Sequence, residues 1–174
     1  MKGQSITLTG IERTFDKNDI IVSKTNPRGI ITYVNTTFVE VSGFGVSDVL
    51  GKPHNIVRHP QMPRAVFKFM WDRIEAGHEI FAYVINRAKN GDHYWVFAHV
   101  TPSYDTEGTL VGYHSNRRVA NPAAIKSIHP VYRHLREIEA RHPDPKAGLA
   151  ASSQALADFL SQKGVAYDAF ILSI

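Results

Sequence analysis

Cysteine is absent from this sequence, which excludes a disulfide framework, a thiolate metal site, a cysteine nucleophile and a cysteinyl adduct to any cofactor. No run of about 20 apolar residues occurs, and no apolar segment has the flanks of a signal peptide, so neither a membrane span nor export is expected and the default compartment is the cytoplasm. Charge of one sign is also scarce: 20 Lys and Arg against 16 Asp and Glu leave +4, and the basic residues are scattered rather than drawn into a stripe, which argues against a nucleic-acid partner. There is no P-loop, no G-x-G-x-x-G, no nucleophile elbow and no carboxylate pair spaced for acid–base work, so an enzyme is not expected. The nine histidines are dispersed without an H-x-x-x-H pair on an expected helix, so no metal site is expected either.

What is present is enough apolar and aromatic material, 43% and 10% of 174 residues, to bury one good core. The stretch Gly51–Gly77 organises the chain. A polar cluster of His54, Asn55, Arg58 and His59 leads through Pro60 and Pro63, which fix the backbone, into an amphipathic helix. On that helix Phe67, Met70, Trp71 and Ile74 form one apolar stripe, with Lys68, Asp72 and Glu75 off it. Around this stretch the chain alternates β-rich runs with turn chemistry. Strands are expected at 20–25 and 30–34 across Asn26-Pro27-Arg28-Gly29, at 79–88 and 93–101 across Asn90-Gly91, and at 110–118. Asn35 reads as the cap of one short helix and Ser47 as the cap of another, 47–50. The expected class is α+β: a five-stranded antiparallel sheet with helices covering one face. Residues 1–18 read as a lead-in that docks on the core, 19–120 as the main domain, and 121–174 as a C-terminal helical extension. That extension has an amphipathic helix through Ile125, Ile128, Val131, Tyr132, Leu135 and Ile138, a second helix over 149–163, and an apolar ending that has to be buried on this domain or on a partner.

The segments VNTTFVEVSGF (34–44), GKPHNIVRHPQMP (51–63), FKFMW (67–71) and NRAKNGDHYWV (86–96) closely resemble the PAS sensor domain of bacterial aerotaxis receptors. The resemblance runs from about Ile20 to Val119 and implies a PAS fold that holds FAD noncovalently between sheet and helices, with the flavin's redox state as the signal. It implies that Arg58 and His59 help form the FAD site, that Phe67 and Trp71 lie beside the flavin, and that Asn86 is a polar position of the pocket. His54, Asn55 and Gln61 complete the expected set. Gln61 stands where the family usually has an acid, and Phe97-Ala98-His99 where it more often has an arginine and an asparagine. If Asn86 faces the pocket, strand parity requires Val84, Ala82 and Ile80 to face it too, and Phe81 and Tyr83 to face away.

The resulting expectation is a cytoplasmic, non-catalytic FAD-binding sensor of redox state or oxygen, which reports to a downstream signalling protein, with a homodimer as a candidate assembly. Two alternatives remain open at this point: a cofactor-free PAS module for dimerisation or partner binding, and a PAS domain holding haem through a single histidine.

Overall fold

A computed structural model describes residues 7–174; of the expected lead-in, residues 1–6 lie outside the described residues. The strands are β1 (Ile21–Thr25), β2 (Ile31–Val34), β3 (Ile80–Arg87), β4 (His93–Tyr104) and β5 (Leu110–Val119). The helices are α1 (Thr36–Ser42), α2 (Val46–Val49), α3 (Arg64–Glu75), α4 (Pro122–Arg141), α5 (Pro145–Lys163) and α6 (Tyr167–Ser173), with a 3₁₀ turn at His54–Val57. All five strands join one antiparallel sheet in the order β2-β1-β5-β4-β3. None of the described helices is long and apolar enough to cross a membrane.

Local chemistry sets these elements. Asn26 Oδ1 accepts the backbone N–H groups of Arg28 and Ile30 and so shapes the β1–β2 turn, which Gly29 completes at φ +72°. Asn35 Oδ1 accepts from Phe38 N and caps α1, as expected. The expected cap at Ser47 is displaced: α2 starts after Gly45, and Asp48 accepts the Gly45 N–H at 2.9 Å. An acid three residues into the helix reaches the freed donor that the Ser47 hydroxyl does not take up. β4 runs three residues beyond the expected end, through Pro102, because its pairing with β5 continues past Thr101 to Tyr104.

Register assigns each strand residue to a face. Asn86 pairs with Tyr94, Val84 with Val96, Ala82 with Ala98, and Ala98 in turn with Arg117; β1 places Ser23 opposite Ser115. These residues share the face covered by α1 to α3. The opposite face carries Ile85 with Trp95, Tyr83 with Phe97, and Phe81 with His99. Helices therefore do not cover one face alone. α4 crosses to the second face, where Tyr132 stacks on Trp95 at 6.3 Å and donates its hydroxyl to Tyr83 O at 2.7 Å. The reason is the row of aromatics on that face, which is too apolar to leave wholly to water. α6 buries Tyr167, Phe170 and Ile171, so the apolar ending packs on this domain. The lead-in docks on the β3–β4 hairpin: Thr9 N donates to Gly91 O and Arg13 N to His93 O, while Arg13 Nε pairs with Asp92 at 2.9 Å.

Candidate functional site

Between α3, the 3₁₀ turn and the inner sheet face lies a cavity of about 480 Å³, within the range of small-molecule sites. α3 supplies one wall. Its expected stripe, Phe67, Met70, Trp71 and Ile74, turns to the cavity because these positions recur every three or four residues on one helical face. Trp71 meets Tyr113 of β5 edge to face at 5.4 Å. The indole also lies against Gly29: a Cβ there would sit 2.9 Å from Trp71 Cη2. The sheet supplies the facing wall through Val84, Ala98 and Val100.

Polar groups converge from four elements. Arg117 of β5, 4% exposed, donates through Nη2 to Ser23 Oγ at 2.9 Å and to His54 Nε2 at 2.7 Å. A guanidinium only donates, so the His54 Nε2 is the acceptor and the ring is neutral. Burial first, and the Arg117 charge second, push the His54 pKa down to about 3; burial draws Arg117 itself down to about 10. Three buried donors on this face have no partner: Arg117 Nη1, Asn86 Nδ2 and the Ser115 hydroxyl. Orphaned buried donors are uncommon in native proteins, and all three belong to residues that line one cavity. Arg58 sits over the Phe67 ring, its guanidinium carbon 4.1 Å from the centroid, and its backbone bridges to Asn86 on the β3 edge. It makes no pair with Asp72, which binds Lys68 instead.

Five cationic side chains, Arg28, Arg58, Arg64, Lys68 and Arg117, line the cavity, and no acidic side chain does so among the described residues. The field inside is therefore positive. The C-terminal extension also contributes: Leu149 of α5 lines the cavity, and Glu139 of α4 holds Arg64 Nε at 3.2 Å and Ala65 N at 3.1 Å.

Of the eight residues expected from sequence, six line this cavity: His54, Asn55, Arg58, Phe67, Trp71 and Asn86. His59 and Gln61 do not. His59 is buried against the His93 ring at 5.7 Å, its Nδ1 accepts the Gln61 N–H, and burial first, then the neighbouring His93, Arg136 and Arg87, push its pKa down to about 4. Gln61 is exposed on the turn. Residues that sequence reasoning passed over are Arg117, Ser23, Ser115, Arg64 and Leu149. The alternation Tyr113, Ser115, Arg117 along β5 was a legible signal for three lining side chains.

Comparisons with known proteins agree with this architecture. Residues 31–117 match the family model described as PAS fold. The aerotaxis receptor of Escherichia coli is 44% identical over 115 residues, 66% of this chain and 22% of the receptor. A nitrogen fixation regulatory protein of Klebsiella pneumoniae is 26% identical over 103 residues, 59% of this chain and 21% of that protein. This chain thus spans about a fifth of the length of either relative. Among solved structures, one of a light-oxygen-voltage domain studied with a flavin analogue superposes with a TM-score of 0.56 at 20% identity, covering 71% of this chain and 87% of that one. The light-state structure of the Aureochrome1 light-oxygen-voltage domain superposes at 0.55 and 21%, covering 64% and 88%; both show likeness of fold. With the sheet order, the cavity between sheet and helices and the family match over residues 31–117 in agreement, the chain belongs to the PAS family of sensor domains.

Proposed function

We propose that this PAS domain is a cytoplasmic sensor, not an enzyme, that binds a flavin noncovalently as FAD and reports redox state or oxygen to a downstream signalling protein. The observation that carries the reading is the make-up of the cavity: an apolar wall of Phe67, Met70 and Trp71, orphaned buried donors facing it, and cationic side chains with no acid among them. A flavin needs an apolar slot for its ring, fixed donors at its polar edge and positive charge for its phosphates. Asn86, Ser115 and Arg117 would serve the polar edge, and Arg58, Arg64 and Lys68 the phosphates. When bound, the flavin would supply reversible electron uptake; the chain's part is to bind and orient the ring, keep water from it and set the charge around it. Resemblance to the aerotaxis receptor and the flavin named in the light-oxygen-voltage structure support the same ligand class. Haem on a single histidine fits less well, since His54 is the only histidine lining the cavity among the described residues and its Nε2 already accepts from Arg117.

The test is an absorption spectrum of the purified protein, as isolated and after incubation with FAD, followed by chromatography of the released cofactor. A flavin doublet and released FAD are expected, and Arg58→Ala and Trp71→Ala are each expected to lower occupancy severalfold. No visible absorbance under either condition, or a haem Soret band, would overturn the reading.

A further inference from the structure

Arg117 is a buried cation whose charge no acidic group among the described residues balances. It lies on β5, the middle strand of the sheet, paired in register with Ile21 on one side and Ala98 on the other. Neither neighbour offers charge, and Ala98, like Ala82 beside it, leaves space above the sheet. Its two contacts, Ser23 Oγ and the neutral ring of His54, satisfy Nη2 only, and Nη1 is left without a partner. No ion pair includes Arg117 among the described residues. The remaining cations of the cavity, Arg28, Arg58, Arg64 and Lys68, all stand more exposed, where solvent screens them. The inner end of the cavity is thus the place where a ligand's negative charge is worth most, because the opposing charge there is desolvated and held in place.

We propose that Arg117 sets the redox poise of the ring held in this cavity: its guanidinium favours the reduced ring in the form that carries one negative charge, and so raises the midpoint potential above that of the free cofactor. This inference rests on the flavin reading. Two electrons from a reduced electron carrier and one proton from solvent convert the neutral oxidised ring into the reduced ring with a single negative charge. A second proton, which would make the reduced ring neutral, is not required because Arg117 supplies the balancing charge. Reoxidation returns both electrons to an acceptor and the proton to solvent. Charge near the ring nitrogens is a principal lever by which a protein tunes a flavin. Ser23 and His54 act as positioning residues, since they hold Nη2 and leave Nη1 directed elsewhere.

The experiment is a dithionite titration of the FAD-loaded full chain against reference dyes, with free FAD in the same buffer, followed by the same titration of Arg117→Gln and Arg117→Lys. The wild-type midpoint should lie above that of free FAD. Arg117→Gln should lower it by the equivalent of a tenfold loss in preference for the reduced ring or more, about 30 mV for a two-electron couple, while Arg117→Lys should stay within that margin. A purely structural Arg117 would change flavin retention or melting and leave the potential alone. Wild-type protein whose bound flavin titrates at or below free FAD overturns the inference, and this arm stands even where Arg117→Gln fails to fold or to hold flavin. A flavin-retaining Arg117→Gln with an unchanged midpoint overturns it as well. A wild-type chain that takes up no flavin overturns the underlying reading instead, and is recognised by the absence of any flavin absorbance before titration begins.

Discussion

Replacing Glu139 by alanine tests whether the C-terminal extension is part of the cavity wall or merely lies beside it. The Glu139 side chain is a tenth exposed. Oε1 accepts from Ala65 N at 3.1 Å and Ser152 Oγ at 3.0 Å, and Oε2 from Arg64 Nε at 3.2 Å. Pro63, the residue before α3, offers no side-chain cap, so Glu139 does from another helix what a capping residue does locally. Alanine strips the Ala65 N–H of a charged partner in a closed site, worth about 1.5–3 kcal/mol. The Arg64 pair adds no more than about 1 kcal/mol, because that side chain is over a third exposed and screened. Ser152 keeps the Leu149 carbonyl at 3.1 Å and Arg64 keeps the Pro145 carbonyl at 3.0 Å, so neither is stranded. The expected loss is about 1.5–4 kcal/mol, which for a chain of this size corresponds to a melting temperature lower by roughly 3–15 °C. Glu139→Gln should fall between the two, since it keeps an oxygen for Ala65 N but turns an amide donor towards Arg64. Thermal and urea unfolding followed by circular dichroism measure the series. Stability of Glu139→Ala within about 1 kcal/mol of wild type, or a glutamine variant weaker than the alanine one, would refute the capping role.

Gly29→Ala places a side chain at φ +72°, against Trp71 Cη2; the left-handed backbone alone costs about 1–2 kcal/mol, and the displaced indole should show as altered tryptophan fluorescence and reduced ligand retention, so an unchanged spectrum would refute the contact. Acid titration of stability reports His54 and His59, whose pKa values fall from 6.5 to about 3 and about 4 on folding. The unfolded chain then binds protons that the folded chain refuses, so their contribution is complete above 6.5 and is lost as the pH falls towards about 4 for His59 and about 3 for His54. Urea midpoints at pH 7, 5.5 and 4.5 should decline in that order, with a shallower decline in His54→Gln; a flat profile would be the contrary result. Asp92, held at about 2 against 3.8 by its bonds to Thr9, Arg13 and Asn90, loses its contribution only below about pH 4, outside the three pH values compared.

What the sequence revealed follows from the range over which each signal acts. The hairpins at Asn26–Gly29 and Asn90–Gly91, and the cap at Asn35, depend on backbone groups within four residues and were legible. The facing of Val84 and Asn86 followed from the period of two. His59 and Gln61 show the limit of reading a motif as a unit. Arg58 has extended backbone and bridges to β3, so its neighbour His59 projects the other way, towards His93, although both belong to one short run. Arg117 shows a different limit: alternation along 113–117 sets it on one face with Tyr113 and Ser115, but only the register of β5 between β1 and β4 shows that this face is the buried one. Glu139 carries no local signal of its grip on α3, since Arg64 and Ala65 lie about 75 residues away in sequence.

The cavity is thus held by two kinds of wall. At its inner end Arg117, Ser115 and Ser23 stand on strands β5 and β1, paired through successive registered residues, so displacement of one side chain's backbone there means breaking a ladder. Along the other wall, α3 is held at its first turn by a single carboxylate of α4, and Leu149 is brought in by the start of α5. On the flavin reading, a change of charge at the ring acts on Arg117, which is poorly placed to move, and the response falls on whatever else the ligand touches. Arg64 is such a group, because it lines the cavity while bonded to Glu139 and to the Pro145 carbonyl. A ligand phosphate and Glu139 would therefore compete for one guanidinium, and a ligand can shift a conformation only so far as the two arrangements bind it differently. On the flavin reading that competition would supply the difference at the junction of α3 with the α4–α5 turn, where Arg64 meets both Glu139 and the Pro145 carbonyl.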